Sequence, residues 1–136
     1  MAGFKFTRMR ISALIGMGLG VLCVLGNLFT NTAIIDLQGT LEQVMWLLFV
    51  FVERLLLGIT IGLAGHWKLI HRPILLNPVL RGLLLGALFS FHMAFFTSGL
   101  FGVAYLLMGL AFGLGNDLIS TLLSKMKQDQ KDHYSS

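Results

Sequence analysis

Long apolar segments leave this chain few ways to fold in water. They cover residues 11–35, 41–65 and 79–123, which is most of the 136 residues. Only 12% of the residues are charged, about half of the roughly 25% that a soluble domain carries. Because about 20 apolar residues cross the hydrocarbon core of a bilayer as one helix, these segments predict an all-α integral membrane protein with lipid as its main surroundings.

The last apolar segment is too long for one crossing. It runs for 45 residues and has a natural break at the sequence "TSG", residues 97–99. We therefore expect four spans, at 11–35, 41–65, 79–97 and 100–123. They predict one four-helix bundle over residues 1–124. Residues 125–136 form a polar tail whose composition is typical of disorder.

The basic residues indicate how the chain is threaded. Loops 31–40 and 97–99 contain no Lys or Arg, whereas nine basic residues precede span one, separate spans two and three, or follow span four: Lys5, Arg8, Arg10, Lys68, Arg72, Arg81, Lys125, Lys127 and Lys131. Since cytoplasmic loops carry the excess of Lys and Arg, both termini are predicted to be cytoplasmic, in a plasma (inner) membrane. This topology explains the net charge of +4 without a nucleic-acid partner. Lys68 and Arg72 are predicted to contact anionic lipid head groups.

An internal repeat relates spans two and four. "VERLLLGITIGL", from Val52, and "VAYLLMGLAFGL", from Val103, are identical at six positions when they are aligned at an offset of 51 residues. The repeat favours two tandem transmembrane hairpins related by an axis along the membrane normal. Chance similarity between helices rich in leucine and glycine is the alternative.

Small residues, among them glycines four residues apart, mark one face of all four spans. Residues at this spacing share a helix face, and small residues there let two helices approach closely. Since spans two and four run in the same direction, their glycine pairs are predicted to pack against each other. The predicted packing glycines are Gly58 and Gly62 in span two, Gly82 and Gly86 in span three, and Gly109 and Gly113 in span four.

Two adjacent charges, Glu53 and Arg54, lie at the centre of span two. Each costs about 2.5–3.5 kcal/mol to insert at that depth. Neighbouring residues on a helix point about 100° apart, so the two cannot satisfy each other fully. We expect partners from other helices, and the polar candidates are Asn27, Ser90, His92 and Asp117. An alternative for Asp117 is that it marks where span four meets cytoplasmic water.

Two functional hypotheses follow from this pair. In the first, the charges form a structural lock, and the protein is a non-enzymatic membrane protein that self-associates or serves as a subunit of a larger complex. In the second, Glu53 and Arg54 line the path of a small oligomeric channel or transporter for an ion, a proton or a solute. An enzyme is not expected, because no nucleophile–base pair, metal-ligand cluster or phosphate loop stands out, and no cofactor or metal is predicted. The lone Cys23 is interpreted as a packing residue.

Overall fold

Four long helices make up the fold. The computed structural model describes residues 2–29, 40–67, 69, 76–96 and 99–134. The helices are α1 (Ala2–Phe29), α2 (Thr40–Leu63), α3 (Leu76–Phe96) and α4 (Leu100–Tyr134), and a short 3-10 helix (Ala64–His66) follows α2. The predicted all-α class is confirmed.

Three of the helices are long and apolar enough to cross a membrane. The segments concerned are Phe6–Leu28, Leu41–His66 and Gly102–Gln128. The remaining helix, α3, has 21 residues, which corresponds to about 31 Å at 1.5 Å per residue. That length matches the roughly 30 Å of a hydrocarbon core, and a crossing by α3 remains a prediction.

The outside of the bundle is more apolar than its inside. Leu14, Leu84 and Phe95 are each more than half exposed, like many other large apolar side chains. Among the described residues, ten buried side chains are polar or charged and seven are apolar. A water-soluble protein does not expose apolar surface on this scale. The arrangement suits a protein whose solvent is lipid, so the described residues support a membrane protein.

The helices extend beyond the apolar segments. α1 begins at Ala2, whereas the first span was predicted to begin at residue 11, after its charged residues. That boundary differs because Arg8 is buried inside the bundle instead of lying in water. α4 continues to Tyr134, so the prediction of a disordered tail is wrong for residues 125–134. Lysine and glutamine, which are frequent there, are good helix formers.

The turn between α3 and α4 falls where the "TSG" sequence predicts it. α3 ends at Phe96 and α4 begins at Leu100. Gly99 has a φ angle of +66°, in the left-handed region that only glycine adopts at little cost. Loop 30–39 and residues 68 and 70–75 lie outside the described residues. The predicted contact of Lys68 and Arg72 with lipid head groups therefore falls outside them as well.

Glycines bring α1 and α2 into backbone contact. A Cβ atom placed on Gly16 would lie 2.6 Å from the carbonyl oxygen of Arg54 and 2.9 Å from the Cα of Gly58. A Cβ on Gly62 would lie 2.7 Å from the Cα of Met9. Real Cβ atoms do not approach so closely, so any larger residue would push the two helices apart. The first two helices therefore form one tightly packed hairpin.

Glycines also bring α3 and α4 into backbone contact. A Cβ on Gly86 would lie 2.2 Å from the carbonyl oxygen of Gly109, and one on Gly82 would lie 2.6 Å from that of Gly113. The glycines of α2 and α4 thus pack inside their own hairpins, and the prediction that the two glycine pairs pack against each other is wrong. A small-residue face specifies close approach but not which helix approaches.

Candidate functional site

A column of buried polar side chains runs between the two hairpins. Three tiers make it up: a lower tier at the end of the bundle where α1 begins, a middle tier at the centre of α2, and an upper tier toward the end of α1. Along α4, it reaches from Tyr105 to Ser124, about 28 Å at the rise of an α-helix. The polar column therefore covers most of the thickness of a hydrocarbon core.

The lower tier is centred on Asp117 of α4, which is completely buried. Arg81 of α3 donates from Nε to Oδ2 at 2.7 Å and from Nη2 to Oδ1 at 2.8 Å. Arg8 of α1 also donates to Oδ1 through Nη2, and the Thr121 hydroxyl approaches the same oxygen at 3.3 Å. The carboxylate thus has a two-pronged arginine partner and a second guanidinium, which is the strong form of charge pairing.

Arg81 also extends the lower tier to α2. Its Nη1 donates to the carbonyl oxygens of Ala64 and Trp67, each at 3.1 Å. These carbonyls lie in and just after the 3-10 helix that follows α2, where few backbone donors remain: the Ala64 carbonyl also accepts from the Trp67 N–H at 2.9 Å. Through Arg8, Arg81 and Asp117, the lower tier therefore connects all four helices.

A side-chain pair reinforces the contact of α1 with α4. The Ser12 hydroxyl donates to Asn116 Oδ1 at 2.8 Å, and Asn116 Nδ2 donates back to the Ser12 carbonyl at 3.2 Å. Both residues are almost fully buried. Further down α4, the hydroxyls of Ser120 and Ser124 donate to carbonyls of their own helix.

The middle tier contains Arg54, whose side chain is 1% exposed. Its Nη1 donates to Ser90 Oγ of α3 at 3.0 Å, and its guanidinium carbon lies 5.3 Å from the centre of the Phe112 ring of α4. A cation over an aromatic face is stabilised, and more so when water is excluded. Nε and Nη2 of Arg54 are buried and have no well-aligned acceptor among the described residues, and the Cys23 thiol of α1 lies beside the guanidinium.

Glu53, also in the middle tier, is a buried carboxyl group with little support. Glu53 is 4% exposed, and its Oε1 atom lies 3.7 Å from Nη1 of Arg54. Neither carboxyl oxygen has a well-aligned hydrogen-bond donor among the described residues, and the Ser90 hydroxyl lies close to the carboxyl group. Burying such a group without a good hydrogen bond is unfavourable. The middle tier therefore contains a carboxyl group and two guanidinium nitrogens whose hydrogen bonding is incomplete.

The upper tier joins α1 to α4. Tyr105 donates through its hydroxyl to Asn27 Oδ1 at 3.3 Å, and Asn27 Nδ2 donates to the Cys23 carbonyl at 2.8 Å. Cys23, Val50 and Tyr105 form a small core on which Trp46 and Phe112 pack. Phe112 therefore lies between this core and the Arg54 guanidinium.

The predicted partners of the charged pair fall in different places. Only Ser90 contacts Arg54 directly. The His92 ring packs edge-on against the Phe49 ring at 5.6 Å, Asn27 lies in the upper tier, and Asp117 lies in the lower tier. The alternative that Asp117 marks the entry of α4 into water is wrong, because its side chain is fully buried.

Sequence reasoning missed the two arginines of the lower tier. Arg8 and Arg81 read as interfacial charges because they lie near the ends of apolar segments. In the structure they are 2% and 3% exposed. A usable signal was the single carboxylate near the same end of span four, since a buried acid at that depth needs a cation.

Neither a known family nor a metal cluster identifies the site. No group of three His, Cys, Asp or Glu side chains that could hold a metal ion occurs in the described part of the chain. Comparison with protein-family models, with curated proteins and with solved structures found no match.

Proposed function

We propose that this protein is a small, non-enzymatic membrane transporter or channel in which Glu53 takes up and releases a proton at the centre of the polar column. Arg54 is the fixed cation beside it. The observation that carries the proposal is the unsupported Glu53 carboxyl, buried near the middle of α2. Ionisable groups at this depth are rare and often mark ion and proton paths, so a functional role is the default hypothesis for them.

The lower tier provides an internal comparison for the competing hypothesis of a structural lock. Asp117 there has a two-pronged arginine and a second guanidinium, which is what a buried charge needs if it is to stabilise a fold. Glu53 has one ion pair at 3.7 Å and a nearby Ser90 hydroxyl, but no well-aligned hydrogen bond from a described residue. We therefore assign the structural lock to the lower tier and the proton-binding site to the middle tier.

The packing of the hairpins favours motion between them. Inside each hairpin the helices touch backbone to backbone at glycines. Between the hairpins, the middle tier makes its contacts through the long side chain of Arg54, which meets Ser90 of α3 and Phe112 of α4 and can exchange partners. Parallel repeats that rock as rigid bodies around a central site are a known transport architecture, and the repeat between spans two and four is consistent with it.

For topology, membrane and assembly, we propose what the sequence predicts. Both termini are cytoplasmic, the membrane is a plasma (inner) membrane, and the protein works with copies of itself or within a larger membrane complex. A four-helix bundle with glycine-packed hairpins has little interior space, so a conducting form requires at least two copies.

Proton flux into vesicles tests the proposal. The purified protein is reconstituted into liposomes that hold a pH-sensitive dye and a buffer of mixed chloride, nitrate and phosphate salts, and a pH step is applied. We expect Glu53→Gln to abolish the protein-dependent flux while its elution in size-exclusion chromatography stays unchanged. Glu42→Gln is the matched control, because it makes the same change on an exposed residue of α2.

Two outcomes contradict the proposal. One is a wild-type flux no larger than that of empty liposomes. The other is a Glu53→Gln flux equal to that of the wild type. If Glu53→Gln instead loses its native elution position while Glu42→Gln keeps it, Glu53 supports assembly, and the lock hypothesis applies to the middle tier as well.

A further inference from the structure

We infer that the Nε and Nη2 edge of Arg54 binds a small planar oxyanion, such as a short carboxylate, and that its binding is coupled to protonation of Glu53. The inference rests on the proposed function and names the class of its substrate. The starting observation is that both nitrogens of this edge are buried and have no well-aligned oxygen acceptor among the described residues, although the weakly accepting Cys23 thiol lies beside the guanidinium. A guanidinium that is 1% exposed needs acceptors for these donors.

A second arginine of the same chain shows what fits this edge. Arg81 uses the same two atoms, Nε and Nη2, to hold both oxygens of the Asp117 carboxylate at 2.7 and 2.8 Å. The fork of the guanidinium matches two oxygens on one planar centre. Arg54 presents the same pair of donors with its remaining nitrogen committed to Ser90. A carboxylate-like ligand therefore suits it better than a spherical anion such as chloride.

The surroundings of Arg54 hold its side chain for such a ligand. Ser90 accepts from Nη1 on one side, and the Phe112 ring lies against the guanidinium at 5.3 Å. A donor fixed before binding loses less conformational freedom when the ligand arrives. Water is excluded, and charge-assisted hydrogen bonds are stronger in such a medium.

The packing around the site limits the size of the ligand. The backbone of Arg54 lies directly against α1, because a Cβ on Gly16 would be only 2.6 Å from its carbonyl oxygen. The α1–α2 side of the site is therefore closed, and a ligand reaches the buried Arg54 edge by a small movement between the hairpins. Because the residue is 1% exposed, and Ser90 and Phe112 already contact its guanidinium, we expect a ligand of a few heavy atoms, such as formate or nitrate, and not a large organic acid.

Charge balance couples this ligand to a proton. Ionised Glu53 and Arg54 together carry no net charge, and a bound anion would leave one uncompensated negative charge in the membrane interior. Transfer of one proton from water to Glu53 restores neutrality, so one anion and one proton bind together. Cys23 of α1 and Tyr105 of α4 are ionisable groups on other helices that interact electrostatically with the pair, and His92 of α3 packs on Phe49.

Thermal unfolding in mild detergent tests the binding without measuring transport. Melting curves are compared in sodium formate and in sodium chloride at equal ionic strength, because a ligand of the folded state raises the melting temperature. We expect formate to stabilise the wild type and chloride not to. Arg54→Lys keeps the charge and loses the fork, and should weaken formate binding about ten-fold or more. Arg10→Lys, at an exposed arginine, should respond like the wild type.

A second variant keeps the test decisive if Arg54→Lys does not fold. Glu53→Gln retains the Arg54 edge and removes the proton site. Its formate response should therefore not change between pH 6 and pH 9, two values chosen for the assay, whereas that of the wild type should weaken as the pH rises. Equal stabilisation by formate and chloride would overturn the inference, and so would identical pH responses of the two proteins.

The two proposals can fail separately. If proton flux depends on Glu53 but formate gives no specific stabilisation, the proposed function is kept and the oxyanion is rejected as its substrate. A formate-specific response that depends on Arg54, in a protein without flux, leaves a binding site in a protein that does not transport.

Discussion

The Arg81 guanidinium and the Asp117 carboxylate meet edge to edge, with Nε 2.7 Å from Oδ2 and Nη2 2.8 Å from Oδ1. The two residues belong to neighbouring helices of one hairpin, and both are buried. The remaining nitrogen of Arg81 reaches the end of α2, and Arg8 brings in α1. Through its hydrogen bonds and ion pairs, this pair therefore connects α1, α3, α4 and the end of α2.

Asp117→Asn should destabilise the fold severely. It leaves two buried guanidinium groups without a counter-charge, and breaking a buried pair in this way costs about 3–5 kcal/mol. The measurement is unfolding by sodium dodecyl sulfate titrated into mild detergent, followed by circular dichroism. Glu53→Gln should cost less than half as much, because the carboxyl it replaces has no well-aligned hydrogen-bond donor among the described residues.

Glu42→Gln is the control for both carboxyl changes, since Glu42 is exposed and should leave the unfolding midpoint unchanged. If Glu53→Gln proves as destabilising as Asp117→Asn, the assignment of the lock to the lower tier alone is wrong.

Gly86→Ala should separate α3 from α4. The added methyl group would lie 2.2 Å from the carbonyl oxygen of Gly109, a backbone atom that cannot move aside. We expect a large fall in thermal stability or in the amount of folded protein. Gly18→Ala is the matched control, because a Cβ there meets nothing within 4 Å, and alanine in a helix is favoured by about 0.5–1 kcal/mol over glycine. Equal stability of the two variants would show that the glycine contacts do not hold the hairpin.

Ser90→Ala should reduce function while keeping the fold. Alanine fits beside Gly109, and the change removes the acceptor 3.0 Å from Arg54 Nη1. The guanidinium then loses its fixed position, so proton flux in liposomes should fall. Thr60→Val is the control, because the Thr60 hydroxyl donates only to the Leu56 carbonyl of its own helix. The same flux in both variants would argue against a positioning role for Ser90.

Reporter fusions should place both termini in the cytoplasm. Green fluorescent protein fused after Ser136 should be fluorescent, whereas alkaline phosphatase fused there should be inactive, as the distribution of Lys and Arg predicts. Phosphatase inserted at Gly99, in the turn between α3 and α4, should be active. An inactive enzyme at Gly99 would contradict a membrane crossing by α3.

Much of the fold follows from the long apolar segments and from two local features of the sequence, a glycine at a turn and two charges at the centre of a span. The apolar segments predict the helices, and glycine in the "TSG" sequence predicts the turn at Gly99. The depth of Glu53 and Arg54 follows from counting along span two. These features depend on short stretches of chain, where composition and geometry are directly linked.

The lower tier could not be predicted in the same way. Arg8 and Asp117 are 109 residues apart in the chain, and an arginine near the end of an apolar segment reads the same whether it faces head groups or the bundle interior. The glycine faces raise a similar difficulty. Gly58 and Gly109 occupy equivalent positions in the repeat, but which helix packs on each depends on the tertiary arrangement.

Infrared difference spectroscopy tests most directly whether Glu53 exchanges protons with water. The reconstituted protein is titrated with acid and base, and the absorption band of protonated carboxyl groups is followed. A pH-dependent band should be present in the wild type and in Glu42→Gln, and its Glu53 component should be missing in Glu53→Gln. Identical difference spectra for the wild type and Glu53→Gln would show that the Glu53 carboxyl does not titrate, and the proposed proton site would then be wrong.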